Sequence, residues 1–370
     1  TENLVNLVVV DSYPALAKVG LSPSEVIRTL APLGCAYFGV SSTGEESPDW
    51  METLAARLRS LGLEEVSVVN SGGIWVRAQK PWPAEIDEWT HYLHGPDGNP
   101  VARDRVVGPP RHYQWISGPM WLRSHETTSS VSTLVTARGR LFAIIDEAPI
   151  SLAGQHPLPD KWALVARDAF NGVPLWKVPI RRWGWREWKD TWFSNRPGDF
   201  PFNLQKRLVA VDDKVYVTLG YHAPVSQLDA ATGEVLQTYP GTEHTDEILL
   251  LDGRLGGTKN GLHGRRSEKA GSSPIATMAG GEIVSRHCLV LCVRPPNDRA
   301  NEARDGKRRG RQPSRPSTLM AFDADTGRRL WQTEPLPVTV LSLAASGDNV
   351  FCHSGDAVLC LDLATGRQRW

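Results

Sequence analysis

Four tryptophans, Trp183, Trp185, Trp188 and Trp192, lie within ten residues and are interleaved with Arg186, Glu187, Lys189 and Asp190. Aromatic faces mixed with charge suit a stacking platform for a sugar ring or a planar cofactor. They suit equally a patch that pins an insertion to the protein surface. A second group, Arg123, His125, Asp146 and Glu147, offers a cation, an imidazole and two carboxylates. Converged, they would bind an anion or another polar ligand, with histidine as the general base; dispersed, they are satisfied structural groups. Asp11 ends the apolar run Leu7-Val8-Val9-Val10 and reads either as a substrate-contacting acid or as the cap of a strand end. No catalytic set is evident. His287-Cys288 and Cys292 lack zinc-ligand spacing and have no second pair, so no metal site is expected.

The elements that must position these side chains follow from a repeat. Asp168-Ala-Phe-Asn-Gly172, Asp229-Ala-Ala-Thr-Gly233, Asp323-Ala-Asp-Thr-Gly327 and Asp362-Leu-Ala-Thr-Gly366 share one Asp-to-Gly spacing. Eight residues after each Asp stand Trp176, Gln237, Trp331 and Trp370. The carboxylate accepts N–H groups of the turn behind it, and Gly supplies a positive φ. The Trp then lands where it covers a neighbouring unit. Each Asp ends a short apolar strand such as Leu319-Met320-Ala321-Phe322, and an earlier hairpin, such as the one around Arg138-Gly139, precedes most of them. A recurring unit of about four strands is a β-propeller blade.

The segment Ala321-Phe322-Asp323-Ala324-Asp325-Thr326-Gly327-Arg328-Arg329-Leu330-Trp331 resembles the repeat of quinoprotein-type propellers, named for pyrroloquinoline quinone (PQQ) dehydrogenases. The other copies depart at Asn171, Gln227, Cys360 and Gln237. The resemblance implies a mainly β fold: an incomplete PQQ-type propeller of about four to five blades of four antiparallel strands, with a partial blade starting near Trp115. It also implies PQQ with calcium as a cofactor where the propeller is an oxidoreductase. The adjacent cysteine pair and the acidic set that such enzymes use have no counterpart here, so no cofactor is assigned. In a propeller, Arg123, His125, Asp146 and Glu147 would meet in the central channel.

Residues 1–80 read differently. After the run ending at Asp11, Ser22, Pro23 and Glu25 open a helix with a capping box, and the helical segment closes at Gly34. Cys35–Val40 reads as a second buried strand. A second helix carries Met51, Leu54, Ala55, Leu58 and Leu61 on one face, and Ser71-Gly72-Gly73 turns a terminal hairpin. This β-α-β-α-β-β order is similar to the C-terminal half of a class I S-adenosylmethionine methyltransferase. Pro32-Leu33-Gly34 stands where that family has Pro-Gly-Gly, and Asp11 matches its post-strand acid. The family's Gly-rich cofactor loop has no counterpart, so S-adenosylmethionine is expected only in a longer parent. The pairing of such a domain with the propeller resembles large proteins of planctomycete-like bacteria. The expected division is 1–80 for the small α/β, partial Rossmann-like domain, 81–114 for a linker with a strand leading into the propeller, and 115–370 for the blades.

Residues 256–280 and 294–316 read as irregular insertions. The run Lys307-Arg308-Arg309-Gly310-Arg311 has no interleaved aromatics and fits a solvated insertion. Lys+Arg and Asp+Glu balance at 41 each, which gives no field toward nucleic acid. No apolar run is long enough to span a bilayer. Five scattered cysteines make no disulfide scaffold, and Cys352 and Cys360 read as facing across a hairpin or as two buried thiols. The chain starts on Thr1 and its last repeat stops at Trp370, so a piece of a larger multidomain protein is expected. The functional expectation is a non-catalytic propeller that binds a small molecule, glycan or protein outside the cytoplasm. The alternatives are a PQQ-dependent oxidoreductase and part of a methyltransferase.

Overall fold

A computed structural model describes residues 2–41, 49–106, 108–109, 112–118, 129–148, 161–184, 187, 202–254, 285–294 and 314–370. The first sheet is built from β1 (Val5–Val10), β2 (Leu30–Val40), β3 (Val66–Asn70) and β4 (Ile74–Gln79). β1 runs parallel to β2, β4 is antiparallel to both β2 and β3, and the order is β1-β2-β4-β3. Three helices, α1 (Tyr13–Lys18), α2 (Pro23–Thr29) and α3 (Asp49–Ser60), accompany it. Leu54 and Leu58 of α3 pack with Val26 and Ile27 of α2 on Phe38, Val76 and Ala78 of the sheet.

Two local expectations fail here for physical reasons. Ser22 does stand at the N-cap of α2 with Pro23 behind it, yet no capping box forms. Its hydroxyl meets that of Ser24 at 2.6 Å, and Glu25 pairs with Arg28 at 2.9 Å instead. The helix also ends at Thr29, not Gly34: Leu30 is already extended, and Pro32 has no N–H to extend a helix. Leu33 is then left-handed, with φ 64°. Its N–H donates to the Lys80 carbonyl at 2.9 Å, which ties β2 to the end of β4.

The rest is a propeller-like stack of four-stranded antiparallel blades. The first has β5 (Val131–Ala137), β6 (Arg140–Asp146), β7 (Trp162–Asp168) and β8 (Pro174–Pro179); the second has β9 (Leu208–Val211), β10 (Lys214–Thr218), β11 (Val225–Asp229) and β12 (Val235–Thr238). The third has β13 (Thr245–Arg254), β14 (Ser285–Val293), β15 (Ser314–Asp323) and β16 (Arg329–Gln332). The fourth has β18 (Ala344–Ser346), β19 (Asn349–Ser354) and β20 (Ala357–Asp362), completed by a bridge from Leu361 to Gln368. A short β17 (Leu336–Thr339) pairs with both β15 and β19 and joins the last two blades into one sheet. A 3-10 turn, Phe202–Arg207, leads into β9.

The repeat turns are alike to a few tenths of an ångström. Asp168, Asp229, Asp323 and Asp362 each accept, through Oδ1, the N–H three residues on, at 3.0, 2.8, 3.0 and 2.9 Å. The glycine N–H returns to the Asp carbonyl at 2.8–2.9 Å in every copy. Gly172, Gly233, Gly327 and Gly366 have φ 74°, 77°, 72° and 67°, a region costly to any side chain.

These glycines also face the seams between blades. A Cβ on Gly233 would lie 2.7 Å from the indole of Trp176, and one on Gly366 would lie 2.6 Å from that of Trp331. Trp176 Nε1 donates to the Ala230 carbonyl at 3.0 Å, and Trp331 Nε1 donates to that of Leu363 at 2.7 Å. So the Trp of one blade lies flat on the glycine of the next and bonds the carbonyl one residue past its Asp. At the seam between the second and third blades Gln237 takes the Trp position. Its Nε2 is buried without a hydrogen-bond partner, and Tyr239 Oη and Gln227 Nε2 reach the Ala324 carbonyl instead, at 2.8 and 3.2 Å.

Three further expectations change. Among the described residues of 81–114 no strand forms, and the only pairing is the bridge His91–His94. Part of the expected insertion 294–316 is strand, since β15 starts at Ser314; residues 256–280 lie outside the described residues. The described residues near Trp115 carry no strand of a fifth sheet.

Candidate functional site at the axis of the blades

The innermost strand of every blade donates one backbone N–H to a single stretch of chain. Thr136 N of β5 bonds the Trp89 carbonyl at 2.8 Å, and Ala210 N of β9 bonds that of Thr90 at 3.0 Å. Leu250 N of β13 bonds His91 Nε2 at 3.1 Å, and Ala345 N of β18 bonds the Pro96 carbonyl at 2.8 Å. Residues 89–96 therefore run down the axis on which the four blades converge. Their turn is closed by His91 N to the His94 carbonyl at 3.2 Å and by Trp89 Nε1 to the Tyr92 carbonyl at 3.0 Å.

The side chains of this segment are fixed by the same contacts. His91 Nε2 accepts from Leu250, so Nδ1 carries the proton and donates to Thr90 Oγ1 at 2.8 Å. Burial, with Lys206 and His94 nearby, pushes the pKa of His91 down to about 3, so the ring is neutral and structural at ordinary pH. His94 Nε2 meets Asp87 Oδ2 at 2.6 Å, and its ring stands edge-on to Trp89 at 5.3 Å. Burial raises the Asp87 carboxyl, but the Arg103 N–H, His94 and the Glu88 N–H together hold it below the usual range. Burial, aided by the carboxylates of Asp212 and Asp87, holds Glu88 above that range against the Arg138 N–H.

Beside this segment lies a cavity of about 380 Å³, walled by Glu88, His94, Asp97, Arg103, His287 and Ser346 among others. Glu88 brings a carboxyl group to it, Arg103 a guanidinium and His287 an imidazole. The cavity has the chemistry to hold a small polar molecule by hydrogen bonds.

Beneath the axial segment is a buried ionic cluster. Lys206 Nζ lies 3.0 Å from Glu247 Oε2 and donates to the carbonyls of Leu341 and Leu343, both at 3.2 Å. Glu247 also accepts the N–H of Leu341 and Leu343. Arg207 and Arg294 both pair with Asp246, and Asn203 donates to the same carboxylate. These groups clamp the turn before β9 to the third and fourth blades.

The residues singled out in the sequence are placed elsewhere. Asp146 is fully buried at the end of β6, where Oδ1 accepts Ala148 N and Lys161 N at 2.9 and 2.8 Å. Glu147 turns outward to Lys177 of the outermost strand, at 2.7 Å. The two diverge and do not meet at the axis, because neighbours on an extended chain point to opposite sides. Arg123, His125, Trp185, Trp188 and Trp192 lie outside the described residues. Trp183 is no exposed platform: it is 4% exposed in the core of the first two blades, edge-on to Tyr221 at 6.4 Å. Asp11 accepts Ser41 Oγ, Ser41 N and Ser12 N at 2.7, 3.0 and 2.7 Å, which lowers its pKa and joins the ends of β1 and β2.

All five cysteines are free thiols. Cys352 stands opposite Leu359, and Cys360 opposite Phe351, so the two do not face each other. Burial pushes Cys288 up to about 12. Among the described residues no group of three His, Cys, Asp or Glu could hold a metal ion, and no helix is long and apolar enough to cross a membrane. The axial segment was hidden in the stretch read as a linker. Its signal was Trp89, His91, Tyr92 and His94 in six residues, a density of aromatic and imidazole groups that linkers lack.

A family model described as outer membrane protein assembly factor BamB matches residues 308–370. No curated protein matches the chain. Among solved structures, the computationally designed Ika8 protein is 12% identical over 67% of this chain and 49% of its own, with a TM-score of 0.32. BamB from Moraxella catarrhalis is 18% identical over 65% of this chain and 57% of its own, at 0.28. Quinohemoprotein alcohol dehydrogenase from Comamonas testosteroni is 12% identical over 88% of this chain and 42% of its own, at 0.39. The chain thus spans about half the length of each of these three proteins. The family match covers β15 and β16 of the third blade and the whole of the fourth, with two of the four repeat turns, and the PQQ-type repeat is what the chain shares with it.

Proposed function

We propose that the chain is a non-catalytic binding propeller of the PQQ-like repeat type that works outside the cytoplasm on a protein partner. One observation carries this reading: the axis is filled by residues 89–96, whose carbonyls and His91 are already bonded to all four innermost strands. A chain that spends its axial groups on holding blades together is built as a rigid platform. The match of residues 308–370 to a model named for an outer membrane protein assembly factor supports a protein as the partner class. The cavity at Glu88 and Arg103 leaves room for a small polar molecule or a sugar beside that role.

PQQ with calcium does not fit the residues that wall this cavity. The quinone carries several carboxylates and takes a divalent cation. The cavity wall supplies Glu88 and Asp97, its Arg103 already lies 3.5 Å from Asp97, and no metal-holding group stands among the described residues. Residues 1–80 we assign as half of a methyltransferase-like domain. The parallel β1–β2 pair and the antiparallel β4 inserted beside β3 support this. Residues 1–80 contain no glycine-rich cofactor loop, so we assign no S-adenosylmethionine site to them.

The test is a titration of the purified chain with calcium and PQQ, read by tryptophan fluorescence. No quenching at high micromolar ligand is the expected result. Saturable quenching that depends on calcium would replace this reading with that of a quinoprotein.

A further inference from the structure

Three of the repeat turns carry Thr three residues after the Asp, and the first carries Asn171 there. The Thr hydroxyl serves its own turn. Oγ1 of Thr232, Thr326 and Thr365 accepts the N–H two residues on, at 3.3, 3.4 and 3.4 Å. Thr232 also donates to Asp229 at 3.1 Å, and Thr365 to Asp362 at 2.8 Å. Asn171 keeps the accepting half of this work, since its Oδ1 takes the Val173 N–H at 2.9 Å. Its Nδ2 leaves the turn. It donates to the Leu4 carbonyl at 3.0 Å and to Asn6 Oδ1 at 2.5 Å.

Leu4 and Asn6 stand at the start of β1, the edge strand of the first sheet. Asn6 closes a ring of contacts, because its own Nδ2 donates to Asp168 Oδ2 at 2.6 Å. The turn's N–H groups at Phe170 and Asn171 both use Oδ1 of that carboxylate, at 2.9 and 3.0 Å, so Oδ2 is the oxygen offered outward. The segment around Gln114 straps the same junction. Gln114 Nε2 donates to the Phe170 carbonyl at 2.9 Å and to that of Asn3 at 3.2 Å. Trp115 Nε1 donates to the Ala169 carbonyl at 3.0 Å, and a Cβ on Gly172 would lie 2.5 Å from its indole.

We propose that the first repeat turn is a docking surface within the chain, and that Asn171 and Asn6 form the latch that holds the first sheet and its helices on the propeller. The partner that this surface fits is the start of an edge strand offering one backbone carbonyl and one side-chain amide. Asn suits the position and Thr does not. A carboxamide has one acceptor to keep inside the turn and two donors to spend outside it, whereas a hydroxyl has one donor on a shorter stem. The blade has no need of Asn171 for its own fold, because Thr closes the same turn in the other three copies. The exchange of Thr for Asn turns a local structural residue into a positioning residue between two parts of the molecule.

The test is Asn171→Thr in the whole chain, read by amide hydrogen exchange. The variant restores the residue of the other repeats, so exchange at Phe142 and Leu164 of the first blade stays as in the parent. Exchange at Phe38 and Val76 of the first sheet becomes about tenfold faster, because that sheet loses two of the hydrogen bonds that dock it. Asn6→Ala acts in the same direction. The two residues share a hydrogen bond, so the double variant shows less than the product of the single effects. Unchanged exchange at Phe38 and Val76 overturns the proposal. Equal acceleration at Phe142 and Leu164 overturns it too, since Asn171 would then be a structural part of the blade. Single effects that multiply in full would show two independent contacts in place of one latch.

Discussion

Gly366 and Gly347 both stand in the fourth blade in the left-handed region, at φ 67° and 56°, but only Gly366 faces an indole. Gly347→Ala adds a Cβ into open space, so it costs only backbone strain, about 1–2 kcal/mol. Gly366→Ala adds that strain plus the displacement of Trp331, for a total of about 2–5 kcal/mol. Urea denaturation of the two variants measures the difference, and equal losses would remove the seam role of the glycine. His91 gives a second residue-level prediction. Its folded pKa, about 3, lies below the ordinary 6.5, so the unfolded chain binds the proton more readily. Its contribution is complete above pH 6.5 and is lost as pH falls toward 3, at up to about 1.4 kcal/mol per pH unit. His91→Gln keeps an acceptor for Leu250 N without titrating. The chain should then show a shallower loss of stability between pH 6.5 and 4, about one bound proton less by linkage, in denaturation series across that range.

At the scale of elements, the Asp-x-x-x-Gly turns and the hairpins were legible because each is written in adjacent residues. Asp229 and Gly233 need nothing distant to make their turn. The end of α2 was legible only in part. Pro32 marks it in the sequence, but helical periodicity runs on through Leu30 and Leu33, and what fixes the end at Thr29 is the pairing of β2 with β1 and with Lys80. The axial segment was missed for the same reason: His91 looks like a loop histidine until Leu250, far along the chain, donates to it. This segment behaves as one element shared by four blades, which makes a prediction. His94→Ala removes the Asp87 contact and the edge against Trp89, at a cost of about 1.5–3 kcal/mol. Amide exchange at Thr136, Ala210, Leu250 and Ala345 should accelerate together, although only the third bonds the side chain of a histidine. Acceleration at Leu250 alone would show that each blade is held independently.

For the whole molecule, the question is what keeps the fourth blade on the other three when its far side carries an exposed Trp370. Its seam with the third blade has Trp331 and the joined β15–β17–β19 sheet, and its inner turn has the Lys206–Glu247 pair. That pair is 7% and 1% exposed and reaches three separate parts of the fold. Burial raises the Glu247 carboxyl, and Lys206 opposes that rise. A buried pair of this kind adds little beyond an apolar replacement, but breaking it strands a charge, at about 3–5 kcal/mol. Lys206→Met should therefore cost that much and loosen the turn at Leu341–Leu343 first. The double change Lys206→Met with Glu247→Gln removes the stranded charge and keeps an acceptor for Leu341 N, so it should be more stable than the single variant. Thermal unfolding, with limited proteolysis to find the first cut, distinguishes the outcomes. A single variant within about 1 kcal/mol of the parent would mean that the pair behaves like an exposed one. The fourth blade would then be held by its sheet contacts and Trp331 alone, and removing the indole in Trp331→Ala should release it before the rest of the chain unfolds.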